Sequence, residues 1–254
     1  RKAKNTFEKT REYFHYVTES IEEIFNNTSE VPTRYLQGNR EIKTTCYINI
    51  TSSRGLCGGF NSNVIKEAAR EIEKDWEKPV IVAIGGRGKE YFEKRGFEIF
   101  EEYMLPPESI SFVETRDISK PIIELYDAGK IDEVVLIYTS FVSSMEQKVR
   151  SVTLLPFEIH RDPDFPVLEK QVDYEPSVEE VFNYLVPKYV EIMVYGAIVE
   201  SATCEHAARR MAMENATDNA REMIGELTLF YNRTRQAAIT NEISEIVGGA
   251  EALK

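Results

Sequence analysis

The sequence predicts a three-layer α/β domain that lies between helical segments at the two ends of the chain. In the middle, short runs of β-branched residues alternate with helical patterns, which is typical of a mainly parallel sheet covered by helices. At both ends, apolar residues recur every three or four positions, the spacing of an amphipathic helix. The 254 residues, 42% of them hydrophobic, are enough to bury a substantial core.

The first helix is predicted within residues 1–27. Its apolar positions follow heptad spacing: Phe7, Phe14, Val17, Ile21 and Ile24. The polar residues from Asn26 to Thr28 end the pattern. Heptad spacing at this end predicts a helix that pairs with a second helix.

Residues 28–176 are predicted to form the α/β domain. The expected strands cover residues 42–50, 80–84, 134–139 and 147–155. The expected helices cover residues 61–75, 88–95 and 117–128. Proline-containing stretches at 105–107 and 161–176 are expected to be turns or loops.

Residues 177–254 predict one very long helix. No proline follows Pro187, which suits a first helical turn, and Gly225 alone interrupts the stretch between Gly196 and Gly248. About sixty helical residues would extend roughly 90 Å, more than a single core can cover. Small residues on one face would let a partner helix lie close: Ala207, Ala208, Ala212, Ala216 and Ala220. We therefore predict a coiled coil, with one helix of an ordinary bundle as the alternative.

Composition excludes several classes of protein. The formal net charge of −12 argues against nucleic-acid binding, which favours a basic surface. The sequence has neither a signal-peptide pattern nor an apolar run near the ~20 residues of a membrane-spanning helix. The three cysteines and three histidines are scattered, so no disulfide framework and no metal site are predicted. These features predict a soluble cytosolic chain.

Residues 85–88 follow a predicted strand and open a helix, the usual context of a phosphate-binding loop. A dinucleotide fingerprint would need a third glycine where Tyr91 or Phe92 stands. A P-loop would need Ser or Thr where Glu90 stands, and a carboxylate there would repel phosphate. The sequence therefore disfavours nucleotide binding, and no cofactor is expected.

A second glycine-rich stretch contains Cys57 between Gly55 and the pair Gly58 and Gly59. A cysteine among glycines could be a nucleophile, but no histidine stands in a recognisable partner motif. The glycines suit a tight turn between a strand and a helix that is capped near residue 61 or 62. We interpret the stretch as a structural turn and predict no catalytic residue in the chain.

Several segments together resemble a known family. Residues 51–63 read TSSRGLCGGFNSN, Glu200 and Ser201 stand side by side, and residues 207–213 and 215–220 read AARRMAM and NATDNA. The tail, residues 231–250, reads YNRTRQAAITNEISEIVGGA. The chain resembles, from end to end, the gamma subunit of F-type ATP synthase of bacterial type. It departs from that family in starting after the usual Lys- and Met-rich N-terminal residues and in its more acidic middle segment.

The resemblance implies a Rossmann-like domain inserted between terminal helices that form a long antiparallel coiled coil. In this family the coiled coil is a shaft inside a ring of alternating alpha and beta subunits. The middle domain docks the epsilon subunit and sits on the membrane ring of c subunits. The chain is then expected to be a non-catalytic rotor subunit that couples rotation of the c ring to ATP synthesis or hydrolysis. It would lie on the cytoplasmic side of the cell membrane, associated with it only through the complex.

The resemblance also implies contact residues. Those expected on the shaft against alpha and beta are Arg209, Arg235, Gln236, Thr240 and Glu242. A solvated helix face is the alternative for each of them. Those expected against the c ring are Tyr174 and Glu175, for which a simple linker into the long helix is the alternative.

Two other functions are consistent with the pattern of elements. A soluble nucleotide-dependent α/β enzyme with a long helical oligomerisation arm would bind ATP or NAD with micromolar affinity. A generic coiled-coil scaffold would work independently of any ATPase ring. For a rotor subunit, the coupling ion would be selected by other chains of the complex.

Overall fold

The computed structural model describes residues 16–17, 19–21, 24, 35–36, 41–74, 79–104, 111–143, 146–157, 175 and 177–251. They belong to two compact units, Arg1–Arg209 and Arg210–Lys254. In the described residues, five strands run β1 Thr45–Ile50, β2 Val80–Ile84, β3 Ile99–Tyr103, β4 Glu133–Phe141 and β5 Gln147–Leu155. The helices are α1 Phe60–Ile72, α2 Gly86–Lys94, α3 Phe112–Asp127 and α4 Val178–Glu251.

The five strands form one sheet in the order β3-β2-β1-β4-β5. The first four are parallel, and β5 is antiparallel to β4. The connection between β4 and β5 is a short hairpin in which Val142 N–H donates to Glu146 O (3.2 Å), and a short hairpin joins only antiparallel strands. The prediction of a mainly parallel sheet is confirmed.

Helices cover both faces of the sheet. Successive side chains of each strand point to opposite faces, so that apolar side chains on each face need a covering layer. On one face, Ile48 of β1 belongs to a core with Ile122 of α3 and Val190 of α4. On the other face, Tyr47 of β1 belongs to a core with Val64 of α1 and other residues of α1 and α2. This arrangement confirms the predicted three-layer α/β architecture.

Strand β3 was not anticipated from the sequence. It is an edge strand whose residues, Ile-Phe-Glu-Glu-Tyr, alternate between half-buried and exposed. Charged residues on an edge strand avoid unwanted pairing, but they also weaken the hydrophobic pattern that reveals a strand. The edge position therefore explains why the sequence pattern missed it.

Helix α3 begins at Phe112, earlier than the predicted residue 117. Ser111 caps it, since Glu114 N–H donates to Ser111 Oγ (3.3 Å) and Ser111 N–H donates to Glu114 Oε2 (2.7 Å). This reciprocal capping box satisfies two amides that the helix itself leaves free. Pro121 lies inside the helix and does not end it.

Helix α4 begins one residue after the predicted start of the C-terminal segment at residue 177. Its first residue is Val178, and Ser177 Oγ accepts from Glu180 N–H (3.2 Å) at that end. Pro187 therefore lies inside the helix, and the placement of Pro187 in a first turn was wrong. The Ser177 cap, which marks a helix start through local chemistry, was a stronger signal of the start of α4 than Pro187.

The structure describes only part of the N-terminal and C-terminal segments. The described residues of the first segment are helical, and Ile21 and Ile24 are buried in the same core as Phe182 of α4. Residues 1–15, the predicted loop at 105–107 and, apart from Glu175, the predicted loop at 161–176 with its Tyr174 lie outside the described residues. The antiparallel pairing of the two terminal helices stays a prediction. Within the described residues, none of the helices is long and apolar enough to cross a membrane.

Candidate functional site at the carboxyl edge of the sheet

Doubly wound sheets bind ligands in a crevice outside the carboxyl ends of the strands, where the strand order reverses. Here that point lies between β1 and β4, the first and fourth strands in the chain. The chain after β1 turns through the glycine-rich stretch, and Cys57 and Phe60 there form a buried cluster with Cys204 of α4. Phe141 at the end of β4 and Ala208 of α4 pack against this cluster. Helix α4 therefore occupies the place where related folds hold a ligand.

The end of β4 is hydrogen-bonded to α4. Pairing between β1 and β4 stops at Asn49 opposite Ile137. Two residues further on, Thr139 N–H donates to Ser201 Oγ (3.3 Å). Then Phe141 N–H and Ser140 Oγ–H both donate to Oε1 of Glu200 (2.7 and 2.9 Å). Side chains of α4 thus take over the bonding of β4 where β1 no longer reaches it.

The wall formed by the glycine turn is also bonded to α4. Arg209 forms an ion pair with the buried Glu205 (2.6 Å, Nη2 to Oε1) and donates to the carbonyl oxygen of Gly55 (3.5 Å). Its side chain is only 24% exposed. Arg209, which the resemblance assigns to subunit contacts, is therefore held by its own chain at this turn.

Asn61 organises the turn itself. Its Oδ1 accepts from Ser52 N–H (2.8 Å), and its Nδ2 donates to Ser52 Oγ (3.0 Å) and to Arg54 O (3.3 Å). The expected helix cap near residue 61 or 62 was wrong, because α1 starts at Phe60 and Gly59 precedes it. Gly58 has a φ of 57°, which favours glycine. Cys57 is buried within this network, as a structural turn requires.

The second glycine turn leads into α2 and offers no free amides to a phosphate. Four successive N–H groups, from Gly85 to Gly88, donate to protein oxygens. In chain order the acceptors are Tyr103 O (2.9 Å), Ser53 Oγ (3.2 Å), Ser52 O (3.1 Å) and Thr51 Oγ1 (2.9 Å). Phosphate loops work by pointing such amides at the ligand. Here the Gly85 amide bonds to the end of β3, and the other three amides hold the segment after β1.

The buried thiols are not poised to react. Burial raises the pKa of Cys46 to about 12. Burial, and then the nearby Glu200 carboxylate, raise the pKa of Cys204 above its ordinary value. Since the thiolate is the nucleophilic form, both groups stay protonated and unreactive near neutral pH.

All but one of the other residues suggested by the resemblance lie among the described residues. On α4, Arg235, Gln236, Thr240 and Glu242 are exposed, and Glu175 is exposed as well. Among the described residues, no group of three or more His, Cys, Asp and Glu side chains could hold a metal ion. Sequence reasoning did not single out Glu200 as a functional residue, because nothing local shows that a helical carboxylate meets a strand sixty residues away.

Comparisons with known proteins agree on one family. The sequence model of the ATP synthase family matches residues 1–253. The ATP synthase gamma chain of Alkaliphilus metalliredigens is 48% identical, covering all of this chain and 89% of the relative. The sodium-ion-specific gamma chain of Acetobacterium woodii is 40% identical with the same coverage.

Solved structures add a likeness of fold. A chain of the Euglena gracilis mitochondrial ATP synthase, in a structure of its OSCP, F1 and c-ring, matches with a TM-score of 0.62 and 19% identity. The match covers 99% of this chain and 93% of that one. A chain from the central stalk and c-ring of the Tetrahymena thermophila enzyme matches with a TM-score of 0.58. The sequence relatives and the family match together show that this chain belongs to the ATP synthase gamma chain family.

Proposed function

We propose that this chain is the central-stalk rotor subunit of an F-type ATP synthase, coupling rotation of a membrane c ring to ATP synthesis or hydrolysis in an alpha–beta ring. One observation carries the proposal beyond family membership. The crevice that would hold a nucleotide in a doubly wound fold is filled by the long helix, which is bonded to both of its walls. A helix joined to a sheet domain in this way suits mechanical transmission, and the chain itself is non-catalytic.

The second compact unit supports the assembly with a ring. Every residue from Met213 to Ala250 is exposed in the chain alone. The exposed set includes large apolar side chains at Met223, Ile224, Leu227, Phe230, Ile243 and Ile246. An isolated helix with so much exposed apolar surface needs covering partners, since most helix stability comes from packing. Alpha and beta subunits are the partners that we propose.

The asymmetry of the shaft would couple its rotation to the nucleotide affinity of the beta subunits. A single shaft contacts three chemically identical beta subunits with three different faces. Each angular position then stabilises a different set of open and closed beta conformations. This is a coupling free energy between ion flow and nucleotide binding.

We assign the shaft contacts to Arg235, Gln236, Thr240 and Glu242, and to the exposed part of Arg209, whose guanidinium also bonds to Glu205 and Gly55 within the chain. Polar groups that become sheathed by other chains need partners there. Replacing both Arg235 and Gln236 with alanine should weaken the coupling of ATP hydrolysis to ion transport in the assembled complex. Arg70→Ala is the matched control, because Arg70 is an exposed arginine of α1, paired with Glu67, and lies outside the shaft. Unchanged coupling in the double variant would count against these contacts.

We assign the membrane-side contacts to the α/β domain and the segment before α4. Tyr174 and Glu175 would meet the polar loops of the c ring, and the epsilon subunit would dock on the same domain. The complex would place the chain on the cytoplasmic side of the cell membrane as a peripheral subunit. A cysteine at Tyr174 should crosslink to a cysteine in a c-subunit loop. No crosslink at any of several loop positions would refute the assignment.

Co-purification with alpha and beta subunits is the deciding experiment for the function as a whole. The rotor function predicts a stable complex with ATPase activity. The competing enzyme function predicts instead that the isolated chain binds ATP or NAD with micromolar affinity. Equilibrium dialysis with both nucleotides separates the two, and we expect no binding because the amides of the glycine turn are already bonded.

A further inference from the structure

We propose that Glu200 is the positioning residue of a torsional joint that fixes helix α4 to strand β4. Torque would pass between the sheet domain and the helix through this carboxylate. The inference rests on the rotor function and specifies where, within the chain, the load is carried. Nothing in the rotor function itself requires that one buried side chain carry it.

The geometry at Glu200 is that of a rigid attachment. One oxygen, Oε1, accepts from the backbone N–H of Phe141 at 2.7 Å and from the hydroxyl of Ser140 at 2.9 Å. Glu200 is 9% exposed, so water competes little for these bonds. Hydrogen bonds to an ionised acceptor are shorter and about twice as strong as neutral ones. The carboxylate therefore grips a backbone group at the end of β4, an interior strand of the sheet.

Two neighbouring side chains strengthen the same contact. Ser201 Oγ accepts from Thr139 N–H (3.3 Å), and Cys204 Sγ–H donates to Thr139 O (3.5 Å). Residues 200, 201 and 204 share one side of the helix, since positions four apart lie on the same face. Rotation of α4 about its own axis would break all of these bonds together.

The opposite side of the helix carries a second attachment. Arg209 follows Glu200 by nine residues, which is about 2.5 helical turns and places the two side chains on opposite sides of α4. Arg209 bonds to the carbonyl of Gly55 in the glycine turn, while Glu200 bonds to the end of β4. The helix is thus held between both walls of the crevice.

Apolar packing alone would not make such a joint. The cluster of Cys57, Phe60 and Cys204 resists separation of the helix from the sheet, but hydrophobic contact is non-directional. Hydrogen bonds weaken steeply as their angles change. Resistance to twisting therefore depends on the polar contacts, and among them on the doubly bonded carboxylate.

The test compares two substitutions at this position in the assembled complex. Glu200→Ala removes the acceptor, whereas Glu200→Gln keeps a carbonyl oxygen that can accept from both donors. Hydrogen exchange at the Phe141 amide should become roughly tenfold or more faster in Glu200→Ala, and faster by a smaller factor in Glu200→Gln, which keeps an acceptor oxygen but loses its charge. Stall torque of single complexes, and ions moved per ATP, should fall in Glu200→Ala while ATP hydrolysis per complex continues.

Glu191→Ala is the matched control. Glu191 is an equally buried carboxylate of α4, but it pairs with Lys188 on the same helix and faces Arg116 of α3 rather than a strand amide. If Glu200→Ala fails to assemble, Ser140→Ala replaces it, since that change removes one of the two bonds and should give a smaller loss of torque. Loss of stall torque at Glu200→Ala or Ser140→Ala, with a smaller loss than that of Glu200→Ala at Glu200→Gln and none at Glu191→Ala, would support the joint.

Two results would overturn the joint, and a third would overturn the rotor function. Wild-type stall torque and coupling in Glu200→Ala, despite faster exchange at the Phe141 amide, would overturn the joint and leave the rotor function intact. An equal loss in Glu191→Ala would also overturn it, because any buried carboxylate would then do. Failure of the wild-type chain to form a coupled complex with alpha and beta would instead overturn the rotor function.

Discussion

Replacing Gly85 with alanine should strongly destabilise the α/β domain. Gly85 joins β2 to α2 with φ 95° and ψ 140°, a conformation that is almost exclusive to glycine. A Cβ at this position would lie 2.0 Å from the carbonyl oxygen of Thr51, and backbone must move to relieve the contact. The conformation costs about 1–3 kcal/mol for alanine and the overpacking a further 1–3 kcal/mol. We therefore expect the free energy of unfolding to fall by about 2–6 kcal/mol.

Urea denaturation of the full chain, followed by circular dichroism, measures this loss. Gly96→Ala is the matched control, because Gly96 also has a positive φ, 82°, but a Cβ there would meet no atom within 4 Å. The control carries the conformational cost alone, about 1–2 kcal/mol. The difference between the two variants isolates the close approach of Gly85 to Thr51.

A local readout comes from hydrogen exchange. The amides of Gly86 and Gly88 donate to Ser53 and Thr51, and movement of that segment in Gly85→Ala should speed their exchange. A Gly85→Ala variant that is no less stable than Gly96→Ala would refute the reasoning. It would show that the turn after β2 does not hold the segment after β1.

Three further predictions concern helix ends. Ser111→Ala should lower the free energy of unfolding by about 1 kcal/mol in urea denaturation, because it removes the cap of α3; an unchanged midpoint would contradict it. The backbone and side-chain bonds from Ser111 lower the pKa of Glu114, so its stabilising effect is present above the ordinary carboxyl pKa and is lost as pH falls through the lowered value. The stability difference between wild type and Glu114→Gln should therefore shrink in acid, and a difference that grows would argue against the capping box. At the other end of the chain, helix from about Ala237 onward should fray in the isolated protein. Amides of residues 239–247 should exchange quickly in the free chain and slowly within the alpha–beta ring, and strong protection in the free chain would count against this picture.

Several features of the fold could be predicted from the sequence because they depend on local chemistry. Strands β1, β2 and β4 are rich in β-branched and other apolar residues, and short segments of this composition are typical of buried parallel strands. The long helix follows from a stretch without proline and with apolar residues at helical spacing. The family could be recognised for the same reason, since residues 51–63 and 231–250 carry the resemblance as linear segments.

Element ends and edges were less predictable, because they depend on weaker signals. The start of α3 is set by a reciprocal pair of bonds between Ser111 and Glu114, and the apolar pattern begins only later in the helix. Strand β3 became a strand through pairing with β2, even though its own residues are largely charged or half-exposed. In each case a partner supplied the stabilisation that local propensity lacked.

The candidate site was decided only by the tertiary structure. Local pattern identified the glycine turn as a turn, but it could not show that α4 enters the crevice beside it. Glu200 and Phe141 are 59 positions apart in the sequence, and although Glu200 and Ser201 contribute to the family resemblance, no local pattern shows that Glu200 meets a strand. Burial next to the end of β4 makes its carboxylate the acceptor that two donors require. Contacts of this kind arise from the order of strands in the sheet, and no short stretch of sequence contains that order.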